Sequence, residues 1–272
     1  MKLLVQSDDY GFTKAVTYGI IEGIDNGILT CTGMFTNMEI APWAAEFIKA
    51  RPDFCFGIDF NLVAGPSVSP KEDIPHLVDE NGRFIRSSVR IRDPRWSTKE
   101  GQEELLPYDE VYKETRAQFD RFVELTGRKP GYLQGHSITT DSIIKAIKQV
   151  SKEENVPFAM DYFEKAFTTF QLPDDEEVQD NVSVNKVFNA ETQLKKNPLR
   201  KFLKNKDEIL KHEFVISCGH CGYVDAELMS LTSLSLERMR DLELVVSEEM
   251  KQFVKDNNVQ LVNYYDLVKE GI

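Results

Sequence analysis

The stretch VQSDDYGF, residues 5 to 12, sets two carboxylates, Asp8 and Asp9, directly behind the first apolar run. Adjacent like charges repel, so a neighbouring cation is expected, and a divided task is one use for them: one carboxylate binds a divalent metal while the other acts as general base toward water. The competing reading is an acidic pair facing the N-terminus of the helix that starts a few residues later. Asp59 lies inside the apolar GIDFNL, where a charge is costly unless it is paired or metal-bound. Alternation turns Asp59 and Asn61 the same way, which would also suit a solvated barrel mouth. His136 in LQGHSITTD and His220 in CGHC both follow strand-like runs. His136 could serve as a third metal ligand, or simply as an incidental polar or capping residue. CGHC has the C-x-x-C spacing of a redox dithiol, but it falls late in a long chain and not at the start of a small βαβ domain.

These residues need a scaffold that gathers strand ends. Short β-rich runs alternate with amphipathic ones: KLLVQS, then a helix over TKAVTYGIIEGIDNG with Thr13 as N-cap, then ILTCTGMFTN, APWAAEFIKA and FCFGIDFNLV. The order βαβαβ implies a parallel sheet with right-handed crossovers. From about 64 to 107 the pattern breaks into a polar stretch with Pro66, Pro70, Pro75, Pro94 and Pro107. A loop that long is expected to be functional, such as a lid in which Trp96 and Phe84 stack on a sugar ring; a homodimer contact is its competing use. The alternation resumes with a helix over YDEVYKETRAQFDRFVELTG, a strand GYLQGH, a helix DSIIKAIKQVSKEEN and a strand PFAMDYF. Residues 164 to 212 read as a second excursion with a basic helix, its cluster from Lys195 to Lys206 forming a solvated face. A strand EFVISCGH, one long helix from about Leu236 to Asp256 and a strand VQLVNYY close the chain. The expected architecture is a single α/β domain over 1–272, an irregular (β/α) TIM-like barrel. Its strand ends open on one face, where Asp8, Asp9, Asp59, His136 and His220 could converge.

The composition, 41% hydrophobic and 29% charged, is that of a globular protein, and the net charge of -12 argues against nucleic acid and anionic membrane partners. No apolar run approaches a membrane span or a secretory signal, and four scattered cysteines suit a reducing compartment, so a cytoplasmic protein is expected.

With these residues in view, the chain resembles the YdjC-like carbohydrate deacetylase family, which includes bacterial chitooligosaccharide deacetylases. The resemblance runs through SDDYGFTKAVTYGIIEGIDNGILTCTGMF, GIDFNLVAGPSVSPKEDIPHLVDENGRF, QFDRFVELTGRKPGYLQGHS, and CGHCGYVD followed by ERMRDLE. It implies an irregular barrel of deacetylase type that removes the acetyl group from an N-acetylated amino sugar or short chitooligosaccharide with a divalent ion. Carried over, Asp8 is the general base, Asp9 and His136 are metal ligands, and His220 is the acid or a substrate contact. Tyr10, Asn61 and Arg240 fall near the substrate.

Three departures cluster at this site. Asp59 replaces a histidine of the family's GIHxNL; Gln134, Gly135 and Ile138 alter a D-S-H-x-H run; Cys221 stands where a proline is usual. An Asp9, Asp59 and His136 set is harder than Asp-His-His and would favour Mg²⁺, with Mn²⁺, Co²⁺ or Zn²⁺ as alternatives. The same changes define a second reading, a catalytically silent sugar-binding or regulatory relative that has lost its metal. A third is a metal-dependent barrel enzyme acting on another sugar bond, its phosphoesterase version weakened by the lack of a phosphate-binding glycine loop.

Overall fold

The structure is a computed structural model that describes residues 1–173 and 188–272. Seven strands run through it in chain order: β1 (Lys2–Tyr10), β2 (Cys31–Met34), β3 (Cys55–Phe60), β4 (Leu133–Gly135), β5 (Phe167–Thr168), β6 (Phe214–Gly219) and β7 (Gln260–Leu261). The chain divides into two compact units, the first Met1–Thr32 with Met160–Ile272, the second Gly33–Ala159. β2 begins in the one and ends in the other.

In the first unit β1 pairs in parallel with both β6 and β7, and β6 pairs in parallel with β5. β1 is buried almost throughout, and its Leu3, Leu4 and Val5 meet a core that includes Val215 and Ile216 of β6. The helix Lys14–Asn26 starts at Thr13, whose side chain accepts from the Val16 amide, and buries Val16 and Ile20. Helix Glu237–Val246 lies beside it and is joined to it by the Ile28 amide, which donates to the Val245 carbonyl at 2.9 Å.

In the second unit β3 and β4 pair in parallel, with Asp59 opposite Gln134 and Phe60 opposite Gly135. The helices Ala41–Lys49, Tyr108–Thr126 and Asp141–Glu154 bury Ala44, Ala45 and Ile48, then Phe119 and Phe122, then Ile143, Ile147 and Val150. These are the apolar faces that helical spacing selects.

The expected bare loop at 64–107 is instead a folded insertion with short helical turns at Lys71–Asp73, Ser87–Arg90, Pro94–Ser97 and Lys99–Leu105. Arg90 is its centre: 2% exposed, it donates to the carbonyls of Leu105, His76 and Leu77 at 2.8, 2.9 and 2.9 Å. Burial lowers its pKa to about 10, so it stays charged at neutral pH. Glu114 ties the insertion to the Tyr108–Thr126 helix by accepting from the amides of Val68 and Ser69 at 3.0 and 2.8 Å. Phe84 is 5% exposed and bridges to Val78, so it is a core residue of the insertion and cannot stack on a sugar.

Three other expectations change. PFAMDYF is not a strand: Phe158 makes one bridge to Leu133, Met160–Phe163 is a helical turn, and the pairing falls later, at β5. The long C-terminal helix is two helices, Glu237–Val246 and Glu248–Asp256. Ser247 takes extended backbone between them and its side chain accepts from the Met250 amide, so a new N-cap wins over continuation. VQLVNYY yields a strand of two residues, because Asn263 caps the helix Tyr264–Glu270. The basic segment forms the short helices Ala190–Lys195, Pro198–Lys204 and Lys206–Ile209, while 174–187 of the expected excursion lie outside the described residues.

Candidate active site

At the end of β1 the two aspartates enter different environments. Asp9 has φ 72°, a left-handed conformation unusual for a side-chain-bearing residue, and Gly11 follows at φ 81°, where glycine is at no disadvantage. A turn closed by the Phe12 amide on the Asp9 carbonyl at 3.1 Å takes the chain off the sheet. Strain of this kind persists only where the surroundings hold it. Asp9 is held by Arg238, whose Nη2 donates to Oδ2 at 2.6 Å, with both side chains at most 2% exposed. Asp8 stays on the face that Gln6 shares. Gln6 Nε2 donates to its Oδ1 at 2.8 Å, and the Cys218 thiol lies 3.7 Å from both carboxylate oxygens. A guanidinium thus stands beside the pair, bonded to Asp9.

β6 supplies the second half of this arrangement. Its register sets Gln6 opposite Cys218 and Ser7 opposite Gly219. Asp8 and His220 are the next residues along these two parallel strands. The turn after β6 is pinned to β1, for the Cys221 amide donates to Ser7 Oγ at 2.9 Å. Asp241 accepts from the His220 amide at 2.7 Å. Burial raises the pKa of Asp241, and the nearby His220 acts the other way. Burial also pushes the Cys221 thiol up, the opposite of what a redox dithiol needs. A cavity of about 280 Å³ opens here, lined among others by Cys218, His220, Asp241, Phe170, Phe202 and Lys201. Lys196 and Lys201 are half-buried against this cavity, while Lys195 is exposed and pairs with Glu191 at 2.8 Å, so the basic cluster is a solvated face only in part.

In the second unit, Asp59 and His136 lie on one side of the β3–β4 pair, since Asp59 faces Gln134 and His136 is two residues further on. Asp59 is 1% exposed and presses on the β2 backbone: a Cβ at Gly33 would fall 1.9 Å from its Oδ1. His136 is half-buried with its ring edge-on to Phe35, centroids 4.7 Å apart, and Ser137 behind it takes φ 68°. Asn61 is fully buried and committed inward. Its Oδ1 accepts from the amides of Val63 and Ala64, and its Nδ2 donates to Asn37 Oδ1 and the Ala64 carbonyl. It shapes the turn after β3 and is not presented to a substrate.

Tyr10 is likewise fully buried, and Arg240 is engaged with Glu243 at 2.8 Å on its own helix. The arginine that matters is Arg238, two positions earlier. Arg238, Asp241 and Gln6 are the site residues that sequence reasoning missed. The signal was present in ERMRDLE, where Arg238 and Asp241 stand three apart on one helix face. Among the described residues no three His, Cys, Asp or Glu side chains are grouped to hold a metal ion. Arg238 engages Oδ2 of Asp9, while Asp59 and His136 share one side of the β3–β4 pair in the second unit.

A parallel α/β scaffold with acid and base candidates at its strand ends defines the class, and the comparisons supply the family. The family model described as YdjC-like protein matches residues 2–256, and this chain belongs to that family. "Carbohydrate deacetylase 2" of Listeria innocua is 30% identical over 99% of this chain and 100% of the relative. "Chitooligosaccharide deacetylase" of Escherichia fergusonii is 25% identical over 97% and 98%. Among solved structures, a candidate cellobiose-phosphate cleavage protein of Enterococcus faecalis superimposes with a TM-score of 0.73 at 22% identity, over 98% of both chains. The fold is the irregular (β/α) barrel of the deacetylase type.

Proposed function

We propose that this protein is a carbohydrate N-deacetylase that hydrolyses the acetamide of an N-acetylated amino sugar or short chitooligosaccharide. The observation that carries the reading is the parallel register of β1 and β6, which pairs Ser7 with Gly219 directly before Asp8 and His220, a base and an acid candidate on neighbouring strands. Asp8 takes a proton from the attacking water, and His220 returns one to the departing amine. Asp241 fixes the backbone of His220, and Cys218 packs against Asp8. The relatives named as deacetylases over nearly their full length support the substrate class.

Family resemblance assigns a divalent ion to Asp9, Asp59 and His136, where it would polarise the acetamide carbonyl. The departures at Asp59, Gln134 and Ile138 carry the second reading, a silent sugar-binding relative. A net charge of -12 and a cavity of about 280 Å³ suit a neutral saccharide better than a polyanion. No described helix is long and apolar enough to cross a membrane. We place the protein in the cytoplasm, a reducing compartment in which four thiols persist.

The test is acetate release from N-acetylated mono- and disaccharides by chelator-stripped protein, alone and with Mg²⁺, Mn²⁺, Co²⁺ or Zn²⁺ added back. Release abolished by Asp8→Asn in a folded variant supports the reading. Saccharide binding without release under any condition moves the assignment to the silent relative.

A further inference from the structure

Behind Asp8 stands a chain of buried polar groups that the acid–base assignment does not use. Tyr264 Oη donates to Gln6 Oε1 at 2.8 Å, and Gln6 Nε2 donates to Asp8 Oδ1 at 2.8 Å. Tyr264 is 0% exposed, Gln6 1% and Asp8 9%. The direction of both bonds follows from chemistry. A carboxylate oxygen next to an amide oxygen would set acceptor against acceptor, so Gln6 must turn its NH₂ toward Asp8. Its Oε1 then faces Tyr264, and the phenol must donate.

Each member sits on a fixed element. Gln6 belongs to the most buried strand of its unit. Tyr264 opens the last helix, held there by the capping box of Asn263 and Asp266, and its ring packs edge-on against Tyr162 at 5.4 Å and 86°. The last torsion of an aspartate side chain is broad, so each hydrogen bond to the carboxylate narrows its orientation.

We infer that Gln6 and Tyr264 are positioning residues, which hold Oδ1 of the Asp8 carboxylate and so fix its orientation toward the attacking water. The inference rests on the deacetylase reading for the role of Asp8. It adds that the last helix of the chain takes part in the reaction through Tyr264, whose hydroxyl reaches Asp8 only by way of Gln6. Well-oriented reacting groups account for large rate factors, and a misplacement of about 1 Å can cost about a hundredfold.

The experiment is steady-state acetate release by Tyr264→Phe, Gln6→Leu and the double variant, with a crystal structure of Gln6→Leu. Tyr264→Phe removes one oxygen and keeps the packing, so it remains informative if Gln6→Leu folds poorly. The expected result is a kcat reduced about fivefold in Tyr264→Phe and about thirtyfold or more in Gln6→Leu, with KM within about twofold. The double variant is expected to be no slower than Gln6→Leu, since the phenol acts only through the amide. Unchanged kcat in both single variants, or losses confined to KM, would overturn the relay. If the parent releases no acetate from any saccharide, the deacetylase reading fails separately. The crystal structure then decides: a rotated Asp8 carboxylate supports the relay and an unrotated one overturns it.

Discussion

Arg238 meets Asp9 at 2.6 Å with both side chains nearly excluded from water, and the bond joins residues 229 positions apart. A buried pair of this kind adds little net stability over apolar neighbours, but breaking it strands a charge. Arg238→Met is therefore expected to cost about 3–5 kcal/mol, and Arg238→Lys to recover only part, since an ammonium lacks the planar fork. Urea unfolding followed by circular dichroism measures both. Parent-like stability for Arg238→Met would show that Asp9 is compensated elsewhere.

Gly33 and Asp59 form a second coupled pair. Gly33→Ala would put a methyl group 1.9 Å from Asp59 Oδ1, and the neighbouring atoms of that carboxylate are also too close. The expected loss is about 1–3 kcal/mol, as for other overpacked sites. Asp59→Ala removes all three obstructing atoms, so the double variant should melt above Gly33→Ala. Additive losses in thermal unfolding would contradict the contact.

The insertion at 64–107 depends on Arg90. Replacing it with methionine keeps the aliphatic stem but leaves the carbonyls of His76, Leu77 and Leu105 without their donor, at a cost of about 3 kcal/mol. Limited proteolysis should then cut within this segment first. Resistance equal to the parent's would mean that the short helical turns hold without it.

Glu114 gives a pH signature. Burial raises its pKa from an ordinary 4.5, against hydrogen bonds from Gln118, Val68 and Ser69 that lower it. A carboxyl with a raised folded pKa binds its proton more tightly in the folded state. Its contribution is fully present below the unfolded value and is lost as pH rises through the folded one. Unfolding free energies of the parent and Glu114→Gln, measured from pH 4 to 7, should diverge in the variant's favour as pH rises. A pH-independent difference would show that Glu114 ionises as freely folded as unfolded.

What was legible in the chain was whatever a local pattern encodes. Thr13 as a cap, the apolar faces around Phe119 and Ile147, and Asp8 and His220 at strand ends all follow from neighbours a few residues away. Partners more than 200 residues apart were not legible. Nothing beside Asp9 reports Arg238. Nothing near Gln6 reports Tyr264. Ser247 shows the local limit from the other side: helical periodicity runs through it, and only its capping bond reveals the break. The prolines of 64–107 marked turns, but not the buried arginine that gathers those turns.

The cavity beside His220 has a wall of a particular kind. The helices Ala190–Lys195 and Pro198–Lys204, which line it, are each seven residues or fewer, below the length at which a helix sustains itself in water. They persist through contacts such as Phe202 against Phe253, ring centroids 5.2 Å apart. Such a wall opens as a cooperative patch before the strands do, and its amides should exchange with deuterium while those of β1 remain protected. A saccharide that fills the cavity would then be recognised partly as a brake on that exchange, so that the wall's marginal order becomes a reporter of occupancy.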